Sequence, residues 1–433
     1  MTLEIPQALQ PLIQHLITAE LTPVIVGGYV RDTLLNHPSK DIDIEIYGTQ
    51  DIELLKLHVK QFGSVYEVGS SFGVLKIRLE DLDVDISLPR TESKTGRGHR
   101  GFSVNTAQDL SFREAALRRD FTINAMGYDT RRRTLLDPYN GENDLNCKIL
   151  REVNAKTFVE DPLRVYRAVQ FTSRFELECS DSLLTLCEQM VSNDQLQELP
   201  KERIFEEFKK LLLKAKKPSI GMRLMERLGI FRYFSELEGM SAMKCNSQND
   251  IFKHTILTVD MMASLCGNDT KHNLLMMLSI LCHKMLENTQ SFLSKLTNEH
   301  ALISEVATLV KYNRQPQKMF DNRASDSDIL RLATKVKLED LIQVAKAIDL
   351  KCNIKTAHHT FKAGAWLSRR AKDLHVFSKP LKPLIQGRDL IELGLQPSLK
   401  FKTILDDAYE AQLNLEFTCK SQANLWLKAY ITK

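Results

Sequence analysis

From Asp41 to Tyr47 apolar and polar residues alternate without a break, and that period of two predicts a half-exposed β-strand. Upstream, the apolar run Val24-Ile25-Val26 follows the turn Thr22-Pro23 and ends at Gly27-Gly28. This pattern predicts a strand feeding through a tight turn into a helix over residues 29–35, which Asn36-His37-Pro38 stops because proline forbids continuation. An amphipathic helix is expected at residues 7–20, and further strands of the same sheet at 74–78 and 84–88.

Beyond about residue 150 the period changes to that of helices. Residues 161–172, 201–214 and 219–228 carry it, with Gly229 placed as a C-cap. Residues 313–327 are polar with one proline and read as a loop. A second break at Pro380 and Pro383 precedes a compact terminal module that begins near Ile385, and no internal repeat is evident. The chain is therefore expected to be α+β, a mixed head on an all-α extension.

At 433 residues it should divide into two to four domains. Hydrophobic content of 43% and charged content of 26% are those of a globular protein, and no apolar run reaches the ~20 residues of a membrane span. The start Met1-Thr2-Leu3-Glu4-Ile5-Pro6 lacks the pattern of a signal peptide. Eight scattered cysteines without a Cys-x-x-Cys pair argue against zinc or a disulfide framework and for a reducing cytoplasm. The net charge of +4 decides nothing by itself. Three basic runs stand out as phosphate-tracking candidates: Arg131-Arg132-Arg133, Lys209-Lys210 with Lys214, Lys216 and Lys217, and Arg369-Arg370 with Lys372. For any single run an ordinary exposed face is the commoner meaning.

The candidate chemistry starts on the alternating strand, where Asp41, Asp43 and Glu45 share one face and Ile42, Ile44 and Ile46 the other. Two carboxylates roughly 7 Å apart on one face can jointly hold a pair of magnesium ions. The surrounding strand, glycines and helix suit a nucleoside triphosphate. Gly27 and Gly28 let backbone approach phosphate oxygens, the helix start favours anions, and Arg31 is able to pair with phosphate. A further acidic strand end, Asp83-Val84-Asp85-Ile86-Ser87, offers a third carboxylate, but Asp83 and Asp85 face the same way and periodicity does not choose between them.

Six ordered motifs carry a family resemblance. They are Gly27-Gly28-Tyr29-Val30-Arg31-Asp32, Lys40-Asp41-Ile42-Asp43, Arg118-Arg119-Asp120-Phe121-Thr122-Ile123-Asn124-Ala125-Met126, Asp137-Pro138-Tyr139-Asn140-Gly141, Glu160-Asp161-Pro162-Leu163-Arg164-Val165-Tyr166-Arg167 and Glu202-Arg203-Ile204. Together they resemble the class II tRNA nucleotidyltransferase (CCA-adding enzyme) and bacterial poly(A) polymerase family, closely over residues 24–235 and more loosely to the end.

The resemblance implies a polymerase-β-like nucleotidyltransferase head (1–145), a nucleotide-selecting helical neck (146–215), a helical body (216–378) and a tRNA-binding tail (379–433). It implies two metal ions on Asp41 and Asp43, with Asp85 rather than Asp83 in the third acid position. Gly27, Gly28, Arg31, Arg118, Arg119, Asp120 and Asn124 would serve the nucleotide. Asp161, Arg164 and Arg167 recur every three residues, and in the family such a stripe presents acceptors and donors to the base of CTP or ATP in place of a nucleic-acid template. Where relatives often carry one more arginine, this chain has Gln170. The implied partners are tRNA, CTP and ATP, with no membrane and no obligate protein partner, and the implied compartment is the cytoplasm.

Two segments complete the reading. Residues 91–100, rich in glycine and positive charge, look like the loop that members use when passing from C to A addition. Some relatives carry an HD-type phosphohydrolase in the body. Here Asp250 and His254 match its first part, but Cys282-His283-Lys284 sets a lysine where the bridging aspartate belongs. An ammonium group repels a divalent ion, so no such hydrolase activity is expected. Addition of all of CCA is the leading activity, against A-only or CC-only addition, poly(A) synthesis, and RNA binding without catalysis.

Overall fold

The computed structural model describes residues 3–37, 39–68, 73–94, 102–105, 109–242, 251–352 and 360–432. They fall into two compact units, Met1–Tyr233 and Phe234–Lys433.

The first unit is built on a seven-stranded mixed sheet. Its strands are β1 (Thr22–Val26), β2 (Asp41–Tyr47), β3 (Val65–Val68), β4 (Val74–Leu79) and β5 (Leu82–Ser87), joined further along by β8 (Gly127–Asp129) and β9 (Thr134–Leu136). Between them β6 (Thr91–Lys94) and β7 (Phe102–Asn105) make a separate antiparallel ribbon. The order across the main sheet is β3-β4-β5-β2-β1-β8-β9, with β2 and β5 parallel and β2 and β1 antiparallel.

The alternation read from the sequence is obeyed along these strands. Ile42, Ile44, Leu75, Ile77, Val84 and Ile86 are all buried, and their polar neighbours point the other way. The helices Gln10–Thr18 and Ile52–Val59 contribute Leu12, Leu16, Leu55 and Val59 to this core. One sheet face is thereby committed to packing, which leaves the other for chemistry.

The strand-to-helix passage forms as expected. Gly27, at φ +71°, ends β1 and the helix Gly28–Leu34 follows. A side chain at Gly27 would be doubly unfavourable, because its Cβ would also lie 2.7 Å from the Arg119 guanidinium. After the sheet comes the helix Leu163–Phe175, amphipathic and packed against Lys201–Lys214 and Pro218–Arg227. Its buried Phe171 meets Phe121 edge to face at 5.5 Å between ring centroids.

Two expectations need correction. The helix expected to start at Asp161 starts at Leu163, because Pro162 occupies the N-cap and the Asp161 carboxylate accepts from the Leu163 amide. Residues 313–327 are not a loop. They contain the helix Gln315–Asp321, whose Pro316 sits in the first turn, where a missing N–H costs nothing.

The second unit is built of helices, with no strand among its described residues. Ile251–Leu265 packs on Thr270–Leu281 and Leu338–Cys352, and the chain closes with a small cluster of Ile385, Leu390, Ala408, Phe417, Ala423 and Leu427. No helix of the described residues is long and apolar enough to cross a membrane.

Candidate active site

The polar face of the sheet carries a row of charged residues set by strand register. Asp43 on β2 is paired across the parallel ladder with Asp85 on β5, and Asp41 with Asp83. On the far side of β5, Lys76 of β4 stands opposite Asp85 and donates to both its carboxylate oxygens, at 2.7 and 2.9 Å. Four aspartates, Asp41 and Asp43 on β2 with Asp83 and Asp85 on β5, therefore share one face of two hydrogen-bonded strands, a hard-oxygen donor set suited to magnesium. Among the described residues no three acidic, histidine or cysteine side chains are already gathered into a metal-holding group. The Asp43 carboxyl is held above its usual range, first by partial burial and then by the neighbouring Asp85 and Glu45 charges, with Arg119 and Arg118 opposing.

Glu45, the next residue on that face, is fully buried. It accepts from Arg118 at 2.8 Å and from Arg119 at 3.0 Å, and Tyr47 donates to its other oxygen at 3.0 Å. Burial opposes its ionisation, but the two guanidiniums and the hydroxyl outweigh it and hold the carboxyl below the usual range. The two arginines of the Arg-Arg-Asp motif thus share one anchor. The sequence placed Glu45 on this face without giving it a role; its burial would have needed a long-range signal.

A second network is continuous, buried at its centre and half-buried at its two ends. Arg174 donates to Asp32 at 3.2 Å, Asp32 pairs with Arg31 at 2.6 Å, and Arg31 donates to the Asn124 side-chain oxygen. The Asn124 amide donates to Asp120 at 3.0 Å, and Asp120 pairs with Arg167 at 2.6 Å. The Arg31 guanidinium also lies over the rings of Phe175 and Phe171, 4.6 and 5.2 Å from their centroids. Its burial pushes its pKa down, with Asp32 opposing. Arg31, Asp120, Asn124 and Arg167 are brought together, tying the glycine-led helix to Leu163–Phe175.

At the start of that helix, Arg164 donates to the backbone carbonyls of Thr157, at 2.7 Å, and Arg118, at 2.5 Å. Asp161 faces Arg203, 3.6 Å away. Gln170, by contrast, is buried and its side-chain oxygen has no hydrogen-bond partner.

A cleft of about 930 Å³ opens onto Asp41 and Asp43. Gly28, Arg31, Lys148, Arg174, Lys214 and Lys216 also line it. The Lys214 ammonium is held below its usual range first by partial desolvation at the cleft and then by Arg174 and Lys210, with Asp41 and Asp32 pulling the other way.

The structure divides the basic runs. Lys209, Lys210 and Lys217 pair with Glu206, Glu207 and Glu176, so only Lys214 and Lys216 of that run reach the cleft. Arg131 to Arg133 form a hairpin turn capped by Asp129, and Arg370 pairs with Asp326.

In the second unit His254 and His283 stand together, ring centroids 5.6 Å apart. His283 Nδ1 lies 2.6 Å from the Ile280 carbonyl, and burial lowers the His283 pKa to about 3, so the ring is neutral. Asp250 lies outside the described residues, as do residues 95–100 of the basic loop.

Residues 24–151 match the family model described as "Poly A polymerase head domain", and residues 181–240 the one described as "Probable RNA and SrmB- binding site of polymerase A". The chain is similar to a "Multifunctional CCA protein" of Azoarcus sp. (strain BH72), with 34% identity over 246 residues covering 55% of this chain and 57% of the relative. A protein of the same name from Mannheimia succiniciproducens is 31% identical over 269 residues, 60% of this chain and 62% of that one. The chain thus spans less than two thirds of the curated relatives it matches. Among solved structures, the Bacillus stearothermophilus CCA-adding enzyme in complex with CTP superposes with a TM-score of 0.74 at 22% identity, covering 99% of this chain and 98% of that one. The Thermotoga maritima CCA-adding enzyme complexed with tRNA gives 0.63 at 20%, covering 99% and 96%. At such identities the likeness speaks for the fold.

Proposed function

We propose that this chain, whose residues 24–151 match the poly A polymerase head-domain model, is a template-independent nucleotidyltransferase that adds CCA to the 3′ end of tRNA from CTP and ATP. One observation carries the proposal: the register that sets Asp85 beside Asp43, on the face that also bears Asp41 and the Glu45-anchored Arg118 and Arg119.

Asp41 and Asp43, with Asp85 alongside, are the residues that would hold two magnesium ions. Bound there, the ions supply Lewis acidity that lowers the pKa of the primer 3′-hydroxyl and neutralises charge on the triphosphate. The chain's own residues do the remaining work. Arg118 and Arg119 offset the phosphate charge, and Glu45 fixes where their guanidiniums stand. Gly27, with no side chain, leaves room for Arg119 beside the strand-to-helix turn. Asp161 and Arg164 offer an acceptor and a donor to the base, and the buried Asp120–Arg167 pair holds the helix that carries Arg164 against the head. Arg31 acts from within this buried network and Asn124 joins its two halves.

The division into head, neck, body and tail at 145, 215 and 378 belongs to this reading, as does a cytoplasmic location. So does the absence of metal-dependent phosphohydrolase activity from the body, where Lys284 follows His283.

The deciding experiment offers tRNA ending at the discriminator base, after the first C, or after the second C, with CTP and ATP separately and together. Full CCA addition requires C, C and A in order on the shortest substrate and A alone on the longest. Incorporation of A only, of C only, or of a long A tract would replace the proposal by the corresponding narrower enzyme or by a poly(A) polymerase. No incorporation on any substrate would reject it.

A further inference from the structure

The cleft beside the carboxylates contains more positive charge than its own acids use. Arg174 is engaged by Asp32, but Lys148, Lys214 and Lys216 have no ion-pair partner among the described residues. All three are exposed, and they come from two places: Lys148 from the turn after Gly141–Asn146, and Lys214 and Lys216 from the end of Lys201–Lys214 and the residues just after it. Two chain segments about 65 residues apart thus bring three unpaired ammonium groups to the concavity that opens onto Asp41 and Asp43.

Direction along the helix Leu163–Phe175 separates this cleft from the base-reading end. Arg164, at the first turn, bonds the carbonyls of Thr157 and Arg118, whereas Arg174 and Phe175, at the last turn, line the cleft. Ten residues of helix put those ends about 15 Å apart. In a transfer reaction two reactants must meet at the metal-binding carboxylates from different sides. If the nucleotide's base lies at the Arg164 end, the cleft is the approach left for the other reactant.

Resting on the nucleotidyltransferase reading, we propose that Lys148, Lys214 and Lys216 form the seat for the phosphate backbone of the RNA 3′ end, distinct from the nucleotide subsite. Ammonium groups recognise phosphates as point charges without reading sequence. The seat therefore holds the RNA end in register with Asp41 and Asp43 whatever base was added last.

The test compares the full chain with a Lys148→Gln, Lys214→Gln, Lys216→Gln variant, after thermal melting shows that both fold. Binding of an acceptor-stem minihelix lacking CCA is followed by fluorescence anisotropy over a salt series, and CTP binding by equilibrium dialysis with magnesium. The variant should bind the minihelix at least about tenfold more weakly, with a salt slope shallower by about 2 to 3, one phosphate per lysine, while its CTP affinity stays within about twofold. An unchanged minihelix affinity overturns the proposal. So does a loss of CTP affinity, alone or with the RNA, since the cleft would then receive the triphosphate. Because neither measurement requires turnover, failure of the wild-type chain to incorporate nucleotide would reject the nucleotidyltransferase reading separately.

Discussion

Lys76 Nζ grips both oxygens of Asp85, at 2.7 and 2.9 Å, from the strand next to it. In doing so it occupies the one candidate acid that the register sets directly beside Asp43. A half-exposed pair of this kind is worth under about 1 kcal/mol, small enough for a divalent cation to displace. Lys76→Gln should therefore bind Mn²⁺ more tightly, by up to about fivefold in titration calorimetry. Unchanged or weaker binding would show that Lys76 does not compete for Asp85.

Glu45 is the shared anchor of Arg118 and Arg119, and truncating one partner of a buried ion pair is costly. Glu45→Gln should lower the unfolding free energy at pH 7 by about 3 kcal/mol in urea titrations. The pH dependence has a definite sign. The folded carboxyl is held below its ordinary value of 4.5, so its contribution is present above that value and lost as pH falls through the lower folded one. Wild-type stability should drop as the pH falls below the ordinary value of 4.5, more steeply than that of the variant. Parallel profiles would refute the assignment.

Asp43 has the opposite sign. Its folded pKa is raised, so holding it ionised opposes folding at neutral pH, and the penalty is lost as the pH falls through that value toward the ordinary one of 3.8. Asp43→Asn should abolish nucleotide incorporation while raising the melting temperature slightly, by about 1–3 °C at pH 7. A lower melting temperature would mean that the carboxylate is structural.

Arg31 is predicted to act through position rather than as an exposed phosphate ligand, since it is buried between Asp32, Asn124 and two phenylalanine rings. Arg31→Met should destabilise the chain by about 3–5 kcal/mol, because Asp32 and Asn124 lose a partner inside the fold. A well-folded variant of wild-type stability whose only defect is a raised KM for nucleotide would contradict this.

In the second unit, the neutral His283 and the lysine after it predict no metal-dependent phosphohydrolase. Purified protein with Mg²⁺, Mn²⁺ or Ni²⁺ should hydrolyse 2′,3′-cyclic nucleotides no faster than an Asp250→Ala, His254→Ala variant. Activity above that background would disprove it.

What the sequence determined by itself was local. A period of two laid Asp41, Asp43 and Glu45 on one face of β2, the glycine pair marked the turn before the Gly28–Leu34 helix, and the helix Lys201–Lys214 was legible to the residue. These follow from spacing, because backbone geometry repeats at fixed intervals. Six motifs in order added the resemblance to a family. Spacing could not order Asp83 and Asp85 relative to β2; the parallel register did, setting Asp85 opposite Asp43. Nor could it show that Glu45 anchors arginines 73 and 74 residues away, or that Arg31 reaches Asn124 across 93. The same limit applies to the lysine run, where chain proximity suggested one patch and packing gave three of its members to nearby glutamates. Which charges meet is decided by strand pairing and helix packing between distant segments, and side-chain periodicity carries no information about those contacts.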